Sequence, residues 1–393
     1  MVAGWRDSQN ILFQLARSSK SQPIAWFHAA SLGEFEQTRP VLEKFRIQHP
    51  EYRVLLTFFS PSGYEVRKNY TGADAVCYLP MDTPGNARRL IQTLSPRIAF
   101  FVKYDFWFNY LNQLNKQGTR TFLFSAIFRP RQYFFQWYGG WFCKQLSRCY
   151  EHIYVQNEQS LQLLKSHGVD HCSIAGDTRF DRVHDIALTA RKFPEIERFL
   201  SLSANGNNQA KVLMAGSSWE PDEDFLKQYF THRKDLKYII APHIISESHI
   251  NQIETLFERG NCLRYSDLNN AANSDFAKPI LIIDNIGMLS SLYQYATVAY
   301  IGGAWGRGLH NTLEAVTFGK PVVFGPHYDK FQEAHDLLSR GGAFSYSQYS
   351  SLETILDRLF DHATDYEKAS LACLDYLNEN LGSSDKILKQ ANL

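Results

Sequence analysis

The feature that most restricts the fold of this chain is a regular alternation of short apolar runs with longer stretches of helical periodicity. Continuous apolar runs suit parallel strands buried on both faces, and the helical stretches suit the crossovers that connect such strands. The pattern therefore predicts an α/β protein with doubly wound sheets. Strands are predicted at Ile24–His28, Val54–Phe59, Ala75–Leu79, Ile98–Lys103, Thr121–Ser125, Ile153–Gln156, Lys211–Ala215, Lys237–Ala241, Ile280–Asp284, Val298–Gly302 and Pro321–Phe324.

The length of 393 residues is enough for two domains that each bury their own core. The best linker candidate is Ser201–Ala210, a polar stretch rich in serine, asparagine and glycine. We therefore predict an N-terminal domain over residues 1–200, a linker over 201–210 and a C-terminal domain over 211–364. The last predicted helix, Asp365–Leu381, opens a C-terminal segment, 365–393, that can cross back to the first domain.

Charge and composition exclude several classes of function. A formal net charge of +1 gives no global field that would attract nucleic acid. No apolar run reaches the roughly eighteen residues of a spanning helix, and the polar stretch Trp5–Gln9 is unlike a signal peptide. The sequence leaves open whether a membrane anchor precedes residue 1. The six cysteines are scattered without a C-x-x-C pair, which favours reduced thiols over a zinc site.

A glycine-rich stretch in the second half indicates a nucleotide site. The predicted strand Val298–Gly302 runs into Gly303, and a helix is predicted to open at His310–Glu314. Glycine lets the backbone approach a ligand closely, and a helix N-terminus offers N–H groups to a phosphate. Glu314 can accept hydrogen bonds from a ribose diol. The alternative is a strand–turn–helix whose glycines serve only the turn, since neither G-x-G-x-x-G nor the P-loop pattern is present.

Glu34 is the first candidate for acid–base chemistry. It follows the predicted strand Ile24–His28 and lies near the start of a helical pattern, at the carboxyl end of a strand where α/β folds bind ligands. A carboxylate there can act as a general base toward an acceptor hydroxyl. The alternative is a capping acid, because Ser31 with Glu34 three residues later fits a capping box.

The segment His28–Glu34 resembles the H-[AS]-[VA]-S-[VL]-G-E signature of the 3-deoxy-D-manno-octulosonic acid (Kdo) transferases of lipopolysaccharide synthesis. The resemblance implies a GT-B glycosyltransferase, with two Rossmann-like doubly wound domains facing across a cleft. It also implies transfer of Kdo from CMP-Kdo to lipid A precursor, with no metal or other cofactor. The likeness continues in order through Thr57–Gly63, Tyr78–Pro80, Gln156–Glu158, Gly176–Asp181, Gly302-Gly303, His310–Glu314 and Gly325–His327.

The catalytic positions implied by the resemblance are partly altered in this chain. The family glutamate that matches Glu34 is the catalytic base, which favours the functional role of Glu34. Family members commonly read E-T-E-L-W where this chain has Lys103-Tyr104-Asp105-Phe106-Trp107. Either Asp105 takes over the acidic role, or Lys103 binds an anion such as the donor carboxylate or an acceptor phosphate.

A further cation, Arg179, matches a family position that usually carries lysine. A positive charge there can stabilise the negative charge that grows on the departing CMP phosphate. The alternative is an ion pair of Arg179 with Asp177 or Asp181, which contributes little to stability.

The resemblance also assigns nucleotide contacts to the second domain. His243 replaces a usual arginine and offers a weaker, pH-sensitive donor. Ile286-Gly287-Met288 replaces a usual M-G-E, so backbone N–H contacts are expected there. Gly216-Ser217-Ser218 can cup phosphate oxygens or form a plain turn. The full predicted CMP set is Gly216, Ser217, Ser218, Pro242, His243, Ile286, Gly287, Met288, Gly302, Gly303, Asn311, Thr312, Leu313 and Glu314.

Two other segments allow opposite interpretations. Asp222-Glu223-Asp224 contains a D-x-D, but acidic first turns are common and a CMP-sugar has a single phosphate, so we predict no metal site. Arg129–Tyr150 mixes eight aromatic residues, seven of them within Tyr133–Phe142, with basic ones, which favours contact with a membrane or an anionic lipid acceptor over a plain core helix. The residues predicted for that contact are Arg129, Arg131, Trp137, Trp141 and Lys144.

The sequence therefore predicts an inverting Kdo transferase on the cytoplasmic side of the inner membrane of a Gram-negative bacterium. It would attach peripherally or through an N-terminal anchor that this chain lacks. One alternative is another GT-B enzyme that uses a UDP-sugar, such as a lipid-linked transferase or an epimerase. The other is a catalytically inactive membrane-binding relative, since Lys103 and His243 both depart from the family pattern.

Overall fold

The structure is a computed structural model, and it describes residues 2–19, 22–136, 139–201 and 210–392. The chain divides into two compact units. The first unit consists of Met1–Arg182 and Asn380–Leu393, and the second of Val183–Glu379. Most of the predicted linker, residues 202–209, lies outside the described residues, and the predicted domain limits stay predictions.

The described part of the first unit contains a seven-stranded parallel sheet in the order β3-β2-β1-β4-β5-β6-β7. Residues on alternate sides of the strands enter two apolar clusters, one around Trp26 and one around Phe27. The sheet is therefore covered on both faces, as the apolar runs predicted. The strands are β1 Ile24–Ala29, β2 Arg53–Phe58, β3 Ala75–Tyr78, β4 Ile98–Val102, β5 Arg120–Ala126, β6 His152–Val155 and β7 Cys172–Ile174.

Helices connect these strands, and several begin at a recognisable cap. Thr83 accepts a hydrogen bond from the backbone N–H of Asn86, and Asn157 accepts one from the N–H of Ser160. Such caps satisfy N–H groups that the first turn of a helix leaves without a partner. The helices are α1 Val2–Ser18, α2 Leu32–Gln48, α3 Pro61–Arg67, α4 Pro84–Leu94, α5 Phe108–Gln117, α6 Gly140–Ser147, α7 Glu158–Ser166 and α8 Arg179–Leu188.

The second unit repeats this architecture. Within its described residues, seven parallel strands have the order β10-β11-β9-β8-β12-β13-β14. Its strands are β8 Val212–Ser218, β9 Lys237–Pro242, β10 Cys262–Arg264, β11 Ile280–Ile282, β12 Val298–Ile301, β13 Val322–Phe324 and β14 Ala343–Ser345. Its helices are α9 Pro194–Ser201, α10 Glu220–His232, α11 Glu247–Leu256, α12 Leu289–Leu292, α13 Leu313–Val316, α14 Gln332–Arg340, α15 Tyr349–Asp361 and α16 Ala363–Asn380.

Strand order reverses once in each sheet, and these two points position the candidate site. In the first unit the reversal lies between β1 and β4, and in the second between β8 and β12. At such a point the connections leave in opposite directions and open a crevice at the carboxyl ends of the strands, where α/β folds bind ligands. We therefore expect ligand-binding residues in the loops after β1, β4, β8 and β12.

The predicted C-terminal helix corresponds to α16 and ends within one residue of the prediction, but it is not the last helix. Helix α16 ends at Asn380, and a further helix, α17 Ser383–Gln390, follows. The break lies at Gly382, whose φ is +86°, a left-handed conformation that glycine adopts readily. The carboxylate of Asp181 then accepts hydrogen bonds from the N–H groups of Gly382 and Ser384, at 2.7 and 2.6 Å. Helix α17 is thereby capped and packs into the core of the first unit.

None of the helices in the described ranges combines the length and apolar character that crossing a bilayer requires.

Candidate active site

Glu34 lies in the first turn of α2, directly after the carboxyl end of β1. Its Oε2 accepts a hydrogen bond from the backbone N–H of Ser31 at 3.1 Å. The capping role that the sequence allowed is therefore present. The side chain is only partly buried, so that the cap does not remove the carboxylate from solvent. Capping and chemistry are compatible for this residue.

Lys103 and Asp105 follow β4, the strand that pairs with β1 across the reversal in strand order. Lys103 has a φ of +62°, a conformation that costs energy for a residue with a side chain. Its N–H still donates to Phe124 O at 3.0 Å. This backbone conformation ends β4 at Val102, one residue before the predicted end.

The charges of these three side chains influence one another. Burial raises the pKa of Glu34, and the Lys103 ammonium opposes that rise. Burial and the charge of Glu34 raise the pKa of Asp105 well above its usual range, again against Lys103. The first unit thus gathers two carboxyl groups of raised proton affinity and one cation at its switch point, as a proton-transfer site requires.

His28, near the end of β1, is a component of this site that the sequence reasoning did not select. Its side chain is fully buried, and its Nε2 lies 3.9 Å from Asp105 Oδ2. Its Nδ1 lies 2.8 Å from the hydroxyl of Thr57 on β2. Burial lowers the pKa of His28 to about 3, so the ring is neutral at physiological pH. The only signal in the sequence was that His28 opens the motif that ends at Glu34.

Arg179 forms the ion pair that was the alternative to a catalytic role. Its guanidinium contacts Asp177 Oδ2 at 2.8 Å, and its backbone N–H donates to Asp177 Oδ1 at 2.9 Å. Gln37 donates to the same carboxylate. Burial opposes ionisation of Asp177, but these partners hold its pKa below the usual value. The catalytic role of Arg179 stays a prediction.

In the second unit, the predicted phosphate loop uses its N–H groups internally. The N–H of Gly302 donates to Gly216 O at 2.9 Å, and the N–H of Gly303 donates to Asp222 Oδ2 at 3.0 Å. A Cβ at Gly302 would lie 2.3 Å from Ser217 O, so glycine is required there by packing. These two N–H groups are therefore used within the protein, and contact of Gly302 and Gly303 with CMP stays a prediction. Their contribution is the close fit of β8 against β12.

His243 lies inside a stack of aromatic rings at the ends of β8, β9 and β12. Its ring centroid is 4.6 Å from that of Trp219 and 4.5 Å from that of His310. Trp219 Nε1 donates to His310 Nε2 at 3.1 Å, and Arg307 lies over the Trp219 ring. His243 is nevertheless exposed, and Trp219 and His310 contact each other, so part of the His243 ring is open to a ligand. Burial lowers the pKa of both histidines, that of His310 to about 4.

The predicted helix after the glycine loop is a single turn, α13 Leu313–Val316. Asn311 Oδ1 accepts from the N–H of Leu313 at 3.2 Å, and Asn311 Nδ2 donates to Glu314 Oε1 at 3.1 Å. Burial raises the pKa of Tyr293 well above its usual range, and the neighbouring Glu314 adds to the effect. Thr312 is fully buried. The turn therefore presents Glu314 in a fixed orientation, as a ribose contact requires.

The remaining predicted nucleotide positions lie on strand ends and one loop. Pro242 closes β9, and Ser217 has a φ of +53° within β8. Ile286 is 89% exposed, and Gly287 beside it has a φ of +93°. Met288 is buried at the start of α12. An exposed backbone with a left-handed glycine fits the expected backbone contact in this loop.

A cavity of about 630 Å³ opens beside Gly303 and was not predicted. Its walls come from the first turns of α10 and α11 and from the glycine-rich loop, and include Trp219, Ser246, Ser248, His249, Trp305 and Arg307. Arg307 brings a positive charge to the wall, and the lining also includes the carboxylates of Glu220 and Asp222. Because its walls come from three segments that are distant in the sequence, no local motif predicts this cavity.

The D-x-D carboxylates serve the interior of the second unit. Asp222 is fully buried and accepts from the N–H of Trp219, the N–H of Gly303 and the hydroxyl of Tyr300. Its neighbour Glu223 binds Ser218 and His249 instead. In the described part of the chain, no group of three histidine, cysteine, aspartate or glutamate side chains could hold a metal ion.

The aromatic and basic segment only partly reaches the surface. Phe134, Phe135 and Tyr150 are buried and pack into the core of the first unit, so the core interpretation is correct for these three. Trp137 lies outside the described residues, as does the side chain of Trp141. Three basic residues, Arg129, Arg131 and Lys144, are exposed. Membrane contact by this segment stays a prediction.

Comparison with known proteins shows what this chain resembles. Residues 7–182 match the family model of 3-deoxy-D-manno-octulosonic-acid transferase (kdotransferase). A bifunctional glycosyltransferase/methyltransferase of Fusobacterium nucleatum is 22% identical over 95% of this chain and 58% of that protein. A 3-deoxy-D-manno-octulosonic acid transferase of Chlamydophila psittaci is 26% identical over 86% of this chain and 78% of that protein. The predicted resemblance to the Kdo transferases is confirmed.

The fold has counterparts among solved structures. The crystal structure of UDP-GlcNAc 2-epimerase from Neisseria meningitidis bound to UDP-GlcNAc has a TM-score of 0.64 and covers 94% of this chain and 99% of that chain. At 13% sequence identity the likeness concerns the fold alone. With the two parallel sheets described above, it confirms the predicted GT-B class.

Proposed function

This chain is a glycosyltransferase related to the Kdo transferases, and we propose that it transfers Kdo from CMP-Kdo to a lipid A precursor with inversion at the anomeric carbon. The observation that carries the proposal is the placement of Glu34. It stands at the β1/β4 switch point, within the part of the chain that matches the family model. Its raised pKa supports service as a general base, because a base works best when its pKa lies near the operating pH.

Glu34 would remove the proton from the attacking hydroxyl of the acceptor sugar. Lys103 assists by keeping the resting carboxyl ionised, since its charge opposes the effect of burial on the pKa of Glu34. The departure from the family pattern is thus compensated locally. Asp105, two residues after Lys103 on the same loop, supplies a second carboxyl group. The proposal thus uses the acidic role that the sequence allowed for Asp105, whereas binding of a substrate anion by Lys103 stays a prediction.

The second unit would hold CMP-Kdo. Glu314, oriented by Asn311, accepts hydrogen bonds from the ribose diol. The edge of His243 and the cavity beside Gly303, with Arg307 on its wall, offer donors and positive charge to the phosphate. A single phosphate needs no divalent ion under these conditions. Attack from the face opposite CMP then inverts the anomeric centre.

The decisive experiment is incubation of the purified protein with lipid A precursor and a panel of CMP- and UDP-sugars, followed by mass spectrometry of the lipid. We expect products heavier by one or more Kdo residues with CMP-Kdo, and none with UDP-sugars. Products from a UDP-sugar would replace the proposal with another GT-B activity. Unchanged lipid in every reaction, from a protein that binds CMP, would indicate an inactive relative.

The donor half of the proposal has a separate test. We expect Glu314→Ala to weaken CMP binding, measured by calorimetry, by about tenfold, since a charged hydrogen bond contributes roughly 1.5–3 kcal/mol. The matched control is Glu367→Ala on the exposed side of α16, which should bind CMP like the unmodified protein. Equal CMP affinity in the two variants would remove Glu314 from the site.

A further inference from the structure

Two buried polar atoms near Glu34 lie opposite each other, and among the described residues neither of them meets hydrogen-bond geometry with another group. These atoms are Nε2 of His28 and Oδ2 of Asp105, 3.9 Å apart. Buried polar groups in native proteins nearly always have a hydrogen-bond partner, and those that lack one mark sites of function or strain. The pair lies at the carboxyl ends of β1 and β4, beside the base that we propose.

The hydrogen-bond chain behind His28 determines which ring nitrogen carries the proton. The indole N–H of Trp26 can only donate, and it donates to Thr57 Oγ1 at 2.8 Å. The hydroxyl hydrogen of Thr57 is then available for His28 Nδ1, also at 2.8 Å, since its other acceptor, Phe27 O, is at 3.5 Å. The Nδ1 atom therefore accepts, and a neutral His28 carries its hydrogen on Nε2, directed toward Asp105.

We propose that His28 is a positioning residue, whose Nε2–H attracts the Asp105 carboxyl across 3.9 Å and orients it beside Glu34. The inference rests on the proposed function, because it assigns His28 a part in activating that base. It also explains how this chain retains a second carboxyl group despite the lysine at the position where the family has a glutamate. Electrostatic repulsion between carboxylates is mutual, so the charge and position of Asp105 affect how readily Glu34 takes a proton.

Among the described residues, the indole N–H of Trp107 also acts on the Asp105 carboxyl and lowers its pKa. Lys103 precedes Asp105 on the same loop, and Glu34 acts on Asp105 from α2. The hydroxyl of Tyr150 donates to the backbone oxygen of Asp105 at 2.6 Å and leaves the carboxyl group alone. The rings of Phe101 and Trp107 pack around His28 at centroid distances of 5.9 and 5.3 Å. The competing account is that His28 only fills this aromatic pocket.

A double-mutant cycle separates the two accounts. His28→Leu keeps the volume and removes the donor, whereas His28→Gln can place an amide N–H close to the Nε2 position. We expect His28→Leu to lower kcat about tenfold or more with KM for CMP-Kdo within about twofold, and His28→Gln to recover most of the loss. The acid limb of the pH profile should move to lower pH in His28→Leu, because loss of the donor favours the neutral form of Asp105 still further, and a neutral Asp105 repels the Glu34 charge less.

The acid limb of the pH profile should also move to lower pH in Asp105→Asn. Adding His28→Leu to that variant should move the limb no further. Two effects that simply add would show that His28 does not act through Asp105 and would overturn the proposal. So would an acid limb that His28→Leu leaves in place.

A second measurement does not depend on transfer. Histidine 15N spectra of the substrate-free protein, assigned by the signal that His28→Gln removes, should show a neutral ring with hydrogen on Nε2 down to about pH 5. Thr57→Ser should keep this tautomer and Thr57→Val should lose the preference. A charged ring or hydrogen on Nδ1 would overturn the positioning role even in an active enzyme. Failure of the unmodified protein to transfer Kdo would instead overturn the proposed function.

Discussion

Glu34 is a carboxyl group on which its surroundings act in opposite directions. Burial favours its neutral form, while Lys103 and the backbone N–H of Ser31 favour the ionised form. A general base needs this compromise, since it must be ionised before the reaction and able to hold a proton afterwards. The capping bond to Ser31 also fixes the side chain without an additional residue.

We expect Glu34→Gln to fold normally and to lose most transfer activity, on the order of 10² to 10⁴ in kcat, because an amide cannot accept the hydroxyl proton. The measurement is the initial rate of Kdo transfer, with the thermal midpoint as a check on folding. Glu43→Gln, a carboxyl on the same helix that pairs with Arg39, is the matched control and should retain its activity. Near-normal turnover in Glu34→Gln would exclude Glu34 as the base.

Asp105 gives a prediction about stability that depends on pH. Its pKa is raised well above the usual range in the folded protein, whereas an unfolded aspartate ionises near pH 3.9. Above that pH the folded state holds a proton that the unfolded state has lost, so stability falls as pH rises toward the folded pKa. Asp105→Asn removes this penalty.

The thermal midpoint of Asp105→Asn should therefore match that of the unmodified protein near pH 4 and exceed it at pH 7.5, by about 2–4 °C for each kcal/mol relieved. Activity should fall in the same variant. Asp170→Asn, at an exposed position, is the control and should show no such pH-dependent gain. A midpoint lowered equally at both pH values would mean that Asp105 is ionised and well satisfied in the folded protein.

At the scale of single residues, the sequence predicts contacts between residues that lie close together in the chain. Glu34 was predictable because its cap partner lies three residues away and the strand before it is apolar. His28 was not, because its partner Thr57 lies 29 positions further along the chain and meets it only through the pairing of β1 with β2. The internal use of Asp222 was hidden for the same reason, since Gly303 is 81 positions away.

At the scale of elements, the junction of β8 and β12 depends on one carboxylate. We expect Asp222→Ala to lower the free energy of unfolding by about 2–4 kcal/mol, because it leaves three buried donors without an acceptor. Urea denaturation measures the loss. The exposed Asp224→Ala is the matched control, with stability and activity close to normal. An Asp224→Ala variant whose activity is lost and then restored by Mg²⁺ would revive the metal interpretation.

The strands show which elements a sequence reveals. Every strand predicted from an apolar run corresponds to a strand of the structure, with ends that differ by at most three residues. The three strands that were missed, β7, β10 and β14, all lie at sheet edges. An edge strand pairs on one side and is partly exposed, so its three residues carry no continuous apolar signal.

At the scale of the whole molecule, we predict attachment to a membrane. Hydrophobic anchoring by Trp137 and Trp141 would persist in salt, whereas attraction by the basic residues nearby would be screened. We expect the Trp137→Ser, Trp141→Ser double variant to lose most co-sedimentation with phosphatidylglycerol vesicles while its thermal midpoint stays the same.

The matched variant, Arg129→Gln with Arg131→Gln, should bind less only at low salt. If the tryptophan variant instead melts much earlier and still sediments with vesicles, those side chains belong to the core. The buried neighbours Phe134 and Phe135 show that part of this segment already does.

The chain leaves the first unit after Arg182 and returns to it at Asn380, which has a consequence for biosynthesis. A ribosome completes the second unit while the first still lacks α17, whose Ile387 and Leu388 belong to its core. Nascent chains must therefore shield that open apolar surface until α17 has been synthesised. A nonsense codon close to position 380 would spare every nucleotide contact that we propose and still expose the first unit to proteases, so the protein would be degraded rather than weakened in activity.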